Sequence, residues 1–227
     1  MNAGRGSHGV DGGLVVLGRP SWSELRRRLP RLVIGILVLG IGVAATVRAE
    51  LGISPYDVLH QGIAQVTGID FGVVVIGLGL LILLLWFPLG QPFGVGTVAN
   101  VLTVGLVIDA ALRVIPHVEP LAVRIPLLLG GTVLIGLGAG LYIGAGLGPG
   151  PRDGLMTAFA RRGHPLWLVR TVLEFSSLAV GYALGGDVGV GTVLIACSSG
   201  PLAHWFLARL HLGVPGSDPQ PGASLGE

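Results

Sequence analysis

The residues that could do chemistry in this chain are few, and their spacing makes them conspicuous. Arg170 and Glu174 lie one helical turn apart inside the apolar run "LVRTVLEFSSLAV". A charge near the middle of a membrane-length helix costs about 2.5–3.5 kcal/mol on insertion scales, so such residues mark function by default. Two roles fit the pair: a helix-internal ion pair that lowers that cost, or a polar site for an ion or small molecule. Asp57 and Asp153 sit in two related phrases, Ser54-Pro55-Tyr56-Asp57 and Gly150-Pro151-Arg152-Asp153. Ser or Gly at the N-cap, proline (Pro55, Pro151) at the first helical position and an acid at the third is a helix-start pattern. Each aspartate there either caps its helix and complements the dipole, or holds a cation or proton at a gate, with Arg152 beside it. Asp109 and His204, toward opposite ends of their apolar runs, are relay or gate candidates. Asn100 is a binding candidate, and with Thr97 and Thr192 it could bridge helices by hydrogen bonds.

Other chemistries lack their motifs. There is no HExxH and no GxSxG. Tyr56-Asp57 and Leu184-Gly185-Gly186-Asp187 loosely resemble an intramembrane aspartyl protease pair, but Leu184 stands where a glycine is wanted and both aspartates fall at helix ends. The chain is therefore read as not an enzyme. His60 and His164 have no partner at metal-ligand spacing, so no metal is expected. The glycines lack the strand–turn–helix context of a nucleotide loop, and no cofactor is expected. Cys197 is the sole cysteine, which excludes an intrachain disulfide and reads as a small packing residue.

These residues are set in an oily chain. Of 227 residues, 51% are hydrophobic and 11% charged, against roughly 25% charged in a soluble domain. All 14 basic residues are arginine, mostly at the ends of apolar runs, which argues for a bilayer rather than nucleic acid as partner. Apolar runs over about 32–49, 71–87, 95–114, 127–146, 166–184 and 190–207 give about six membrane spans. Residues 1–28 and 212–227 read as disordered tails. The expected class is an all-α polytopic transmembrane bundle.

The paired phrases belong to an internal repeat. "LPRLVIGILVLGIGVA" from Leu29 matches "IPLLLGGTVLIGLGAG" from Ile125, aligning Gly35, Gly40 and Gly42 with Gly131, Gly136 and Gly138. Leu51, Gly52, Pro55 and Asp57 match Leu147, Gly148, Pro151 and Asp153, and "GVGTV" at Gly94 recurs at Gly189. Internal repeats fix architecture: one half covers 29–116, the other 125–211, with 117–124 an external loop. The copy deep in the chain argues that the first span is retained rather than cleaved. The small-residue face of the fourth span (Gly136, Gly140, Gly144) is expected to pack on the first.

Each half holds three spans, an odd number, so the second enters from the opposite side and the repeats have inverted topology. The segments after Pro55 and Pro151 are too short to span and should be interfacial or re-entrant helices on opposite faces. In the first, Val58, Leu59, Gly62, Ile63 and Val66 form the apolar face, with Asp57, His60, Gln61 and Gln65 away from it. Arg26, Arg27, Arg28, Arg31, Arg152, Arg161, Arg162 and Arg209 fall on one side, which places both termini in the cytoplasm.

The phrases "LGISPYDVLHQGIAQVTG", "GVGTVANVLTVGLVIDAAL", "LGAGLYIGAGLGPGPRDGL" and "VRTVLEF" followed by "GVGT" resemble the YczE/YyaS/YitT-like bacterial membrane proteins over about residues 30–210. The resemblance implies a multi-pass plasma-membrane protein and supplies no substrate or catalytic residue.

Two function classes follow. The first is a small transporter or permease for an ion or small molecule, with Glu174 and Arg170 marking a site between the halves and Gly79 leaving room beside the carboxylate. The second is a non-transporting scaffold or regulator whose partner is a second copy or another membrane protein. Short loops favour the first.

Overall fold

A computed structural model describes residues 22–210. The eight helices among them are α1 (Trp22–Ala49), α2 (Pro55–Thr67), α3 (Phe71–Leu89), α4 (Val95–Val114), α5 (Leu121–Gly144), α6 (Pro151–Ala160), α7 (Leu166–Ala183) and α8 (Val190–Leu210). No strand occurs among the described residues. The fold is an all-α bundle, and α1, α3, α4, α5 and α8 are long and apolar enough to cross a membrane. The sequence reading counted six. The remaining one, α7, has 18 residues and carries Arg170 and Glu174, which lower its apolar character.

Most of the two tails lies outside the described residues. The exception is 22–28, assigned above to a tail and here the first two turns of α1. The reason is local: Glu24 favours the positive N-terminal end, and Arg28 is buried, donating to the Ala145 carbonyl at 3.0 Å.

α1 and α5 form the centre and run antiparallel. Gly35 faces Tyr142 and Gly138, while Gly42 faces Ile135 and Gly131. A Cβ on Gly138 would lie 2.5 Å from the Leu39 amide nitrogen, and one on Gly131 would lie 2.8 Å from the Gly42 carbonyl. In lipid there is no hydrophobic drive between helices, so such backbone approach supplies the packing energy. Only part of the expected stripe faces α1. Gly136 and Gly140 face Leu202 and Phe206 of α8 instead, because a helix turns about 100° per residue: Gly131 and Gly138, seven apart, share the α1 face, and Gly136 and Gly140, each two from Gly138, are turned away from it.

Contacts recur in pairs about 96 residues apart. Gly40 abuts Val104 and Val107 of α4 as Gly136 abuts Leu202 of α8. α2 packs on α7, and α6 packs on α3. Gly181 lies against Val58 and Leu59, while its counterpart Trp86 lies against Gly154. The Gln61 side chain donates to Asp187 at 2.7 Å, as that of Gln91 donates to Thr157 at 3.2 Å.

The repeated phrases dock on each other's halves. The turn at Leu51–Gly52 meets the start of α8, where the Gly191 amide donates to the Leu51 carbonyl at 2.7 Å. The turn at Leu147–Gly148 meets the start of α4, where the Gly96 amide donates to the Leu147 carbonyl at 2.8 Å. Gly52 and Gly148 have φ of +100° and +127°, a region that only glycine enters freely. The recurring glycine and "GVGT" thus form two crossed joints.

Candidate functional site

The local sequence builds both short helices as expected, with one asymmetry. Ser54 is the N-cap of α2; its hydroxyl accepts from the Asp57 amide at 3.2 Å and donates to the Asp57 carboxylate at 2.6 Å. Gly150 is the N-cap of α6 and offers no side-chain cap. Asp153 instead accepts from the Tyr142 hydroxyl at 2.7 Å.

Both helix starts open on one cavity of about 200 Å³ between the halves. Its polar wall comprises Ser54, Tyr56, Asp57, His60, Asn100, Tyr142, Arg152, Asp153 and Ser199. Leu39 and Ile135 from α1 and α5 complete it on the apolar side. The first turn of α2 therefore lies beside Leu39 and Val43 of α1, well inside the bundle, while its other end at Val66–Thr67 is exposed.

The charges are held in order. Arg152 pairs with Glu174 of α7 and lies over the Tyr56 ring, 5.2 Å from its centroid. Tyr56 is on α2, which does not span. Burial is the largest influence on its phenol and pushes it up to about 12, with Arg152 pulling the other way. Tyr56 is therefore a neutral hydroxyl throughout the physiological range. Asn100 is 5% exposed, lines the cavity, and its side-chain amide has no protein partner. The Arg152 Nε is buried without one.

The structure gathers some of the sequence candidates and disperses others. Asp57, Asp153, Arg152, Asn100, Pro151 and the α2 start share the cavity. Glu174 and Arg170 do not line it. They form an ion cluster on its flank, Arg170 donating to Glu174 at 3.1 Å and Arg152 adding the second cation. Gly79 lies in the cavity beside Val101, not beside Glu174. Asp109 accepts from the Gly72 amide at 2.6 Å and so closes the start of α3. Its surroundings are Asp70, Arg113 and His117 at one end of the bundle. His204 is exposed on α8. Neither lines the cavity.

Two sequence readings need correction. His60, assigned to the polar face, is 2% exposed. It stacks edgewise on Tyr56 and Phe71, and its Nδ1 lies 3.2 Å from Asp57. Asp57 three residues back supplies the polar partner that lets the imidazole be buried. Cys197 is exposed on α8 rather than packed inside. Tyr56 and Tyr142 were missed as site residues. Their signal was position: Tyr56 occupies the repeat slot of Arg152, and Tyr142 lies two turns before Gly150.

Comparison with known proteins places the chain. A family model described as "Family of unknown function (DUF6198)" matches residues 26–208. The chain belongs to this family. It is 36% identical over 187 residues to an "Uncharacterized protein" of Haemophilus influenzae, covering 82% of this chain and 86% of the relative. It is 34% identical to the "Uncharacterized membrane protein YczE" of Bacillus subtilis, over 77% of this chain and 83% of that one. The "Uncharacterized protein YyaS" of the same organism is 31% identical, over 77% and 89%. No solved structure matches. The expected YczE-like kinship holds, and with the apolar helices it establishes a multi-pass membrane protein.

Proposed function

We propose that this protein is a non-enzymatic small-solute transporter of the bacterial plasma membrane, built from two inverted-topology repeats with re-entrant short helices. Its site is the central cavity. The observation that carries the reading is the convergence of two broken-helix starts, from different halves, on one polar cavity beside the antiparallel α1–α5 pair. Helix starts sunk into a bundle present backbone donors and fixed dipoles to a solute, the device expected of alternating-access carriers. Antiparallel central helices and reciprocal joints are what inverted repeats produce. The Arg31 side chain donates to the Leu210 carbonyl at 2.5 Å, bringing both ends of the described chain to one end of the bundle. The arginine bias makes that end cytoplasmic.

Access to the cavity tests the reading. In a Cys197→Ser background, Asn100→Cys should react with an impermeant thiol reagent in right-side-out and in inside-out vesicles, because a carrier exposes its site to each side in turn. Reaction from one side only, or from neither, would leave a scaffold or regulator and end the transport reading.

A further inference from the structure

The wall of the central cavity is mixed in sign, and this restricts what it can hold. Two carboxylates, Asp57 and Asp153, and one guanidinium, Arg152, line it. Asp57 is internally satisfied: one oxygen accepts from Ser54 and the other faces His60. The α6 end is not. Gly150 gives no cap, and Asp153 takes its hydrogen bond from Tyr142 rather than from its own helix. The first-turn amides of Arg152 and Asp153 therefore have no cap, at a helix start whose residues line the cavity and where the dipole is positive. A helix start alone does not make a site, but here Asn100 is 95% buried in the same wall with its side chain unpaired. Buried polar side chains without partners are rare and costly, and such a group in a cavity wall points to a ligand.

Charge decides the class. A simple anion at the α6 start would meet Asp153 and Asp57. A simple cation near those carboxylates would meet Arg152 and two helix starts. A solute carrying both signs a few ångströms apart satisfies each group. Size narrows it further: about 200 Å³ is the liquid volume of roughly seven waters, below the 300–1,000 Å³ of drug-sized sites.

Resting on the transport reading, we propose that the cavity binds a small zwitterion with one carboxylate and one ammonium, of the size of a simple α-amino acid. The carboxylate lies on the α6 amides and the Asn100 side-chain NH2. The ammonium lies toward Asp153 and Asp57, with Tyr56 and Ser199 along the wall.

Calorimetric titration of the purified full-length protein in nanodiscs tests this with named probes: glycine, L-alanine and L-serine against acetate and methylammonium. At least one zwitterion should bind at least tenfold more tightly than either single-charge probe. Asn100→Ala should weaken that zwitterion at least tenfold while the melting temperature of the empty protein stays within a few degrees. Asn100→Asp, which places a third carboxylate beside the ligand's own, should weaken it further. Acetate or methylammonium binding as tightly as the best zwitterion, or no probe binding at all, would overturn the proposal. Two-sided labelling at Asn100→Cys with no zwitterion binding would leave transport standing and remove only the ligand class.

Discussion

Helix α3 lies so close to α4 that Gly72 and Gly105 meet backbone to backbone, and Asp109 of α4 closes its first turn. Its sequence counterpart α7 approaches α8 less closely, and there Gly200 meets the end of the Arg170 side chain rather than backbone. The cavity shows the same contrast. Val75 and Gly79 of α3 line it, whereas Arg170 and Glu174, which hold those places in the repeat, stand on its flank. Between α7 and α8 is a second space of about 270 Å³, walled by Phe175, Leu178, Val193, Ala196 and Cys197. One half is thus packed closely at α3–α4, while in the other α7 and α8 leave a space and the charges of α7 pair with Arg152 of α6. Related sequences can pack both ways because glycine on one side and a long charged side chain on the other occupy the same register.

The joints with the short helices test that contrast most severely. At the α3–α6 joint the large partner is Trp86, fully buried, donating from its indole to the Pro151 carbonyl at 3.2 Å over Gly154. At the α7–α2 joint the sizes are exchanged, with Gly181 against Val58. Trp86→Ala should cost about 3–5 kcal/mol, read as a large loss of melting temperature in detergent. Gly154→Val alone should also destabilise, since its methyls enter the indole ring. Combined, the two should recover part of the loss by copying the other joint. A double variant no better than the worse single would show that the joints are not interchangeable.

The α3–α4 contact comes next. Gly105→Leu should force the helices apart and cost about 1–3 kcal/mol by overpacking. Gly200→Leu, its counterpart, displaces only the end of Arg170 and should be tolerated within about 0.5 kcal/mol. Thermal melts of the two variants side by side check this. Equal losses would mean that α7 and α8 pack as closely as α3 and α4.

Glu174 follows. Its carboxylate serves two arginines, and Glu174→Gln should cost about 1–3 kcal/mol by leaving them without a counter-charge. Replacing Arg170 by Met as well should restore little, because Arg152 still faces an uncharged partner. A triple change that also takes Arg152 to Met should restore more. The melting temperatures of the single, double and triple variants give the answer, and full recovery in the double would mean that Arg152 is not part of the cluster.

That third partner explains what could be read from sequence. The helices, their caps and the repeat were legible because each is local: Pro55 and Pro151 set helix starts, and "GVGTV" recurs intact. Pairing Arg170 with Glu174 was legible for the same reason, since one turn of helix joins them. The cavity was not, because it is made where α2 and α6 converge, and nothing local reports which long helix each short one meets. Thus the site was expected at Glu174, the costliest charge, while the structure places the cavity at the aspartates read as helix caps or gate residues. Asn100 was singled out by type, but its place in the cavity wall is a tertiary fact.

The mildest change sharpens the comparison by asking whether the halves are oppositely oriented at all. Gln61 and Thr157 correspond in the repeat and bond Asp187 and Gln91, which lie in the connections that follow α7 and α3. Gln61 gives up two exposed hydrogen bonds to Asp187, and Thr157 gives up one from Gln91 and one to the Gly154 carbonyl; each is worth about 0.5–1.5 kcal/mol, so folding should survive. Around Gln61 lie Glu50, His117 and Arg124. Near Thr157, Arg161 pairs with Gln91 and Arg162 donates to the Pro88 carbonyl at 3.3 Å. In a Cys197→Ser background, a cysteine at Gln61 should react with an impermeant reagent on intact cells, and one at Thr157 only after lysis. The arginine-rich surroundings of Thr157 fix the expected direction, since such segments are retained in the cytoplasm. Labelling of both from outside would make the halves parallel rather than inverted and would remove the structural basis of the proposed alternating access.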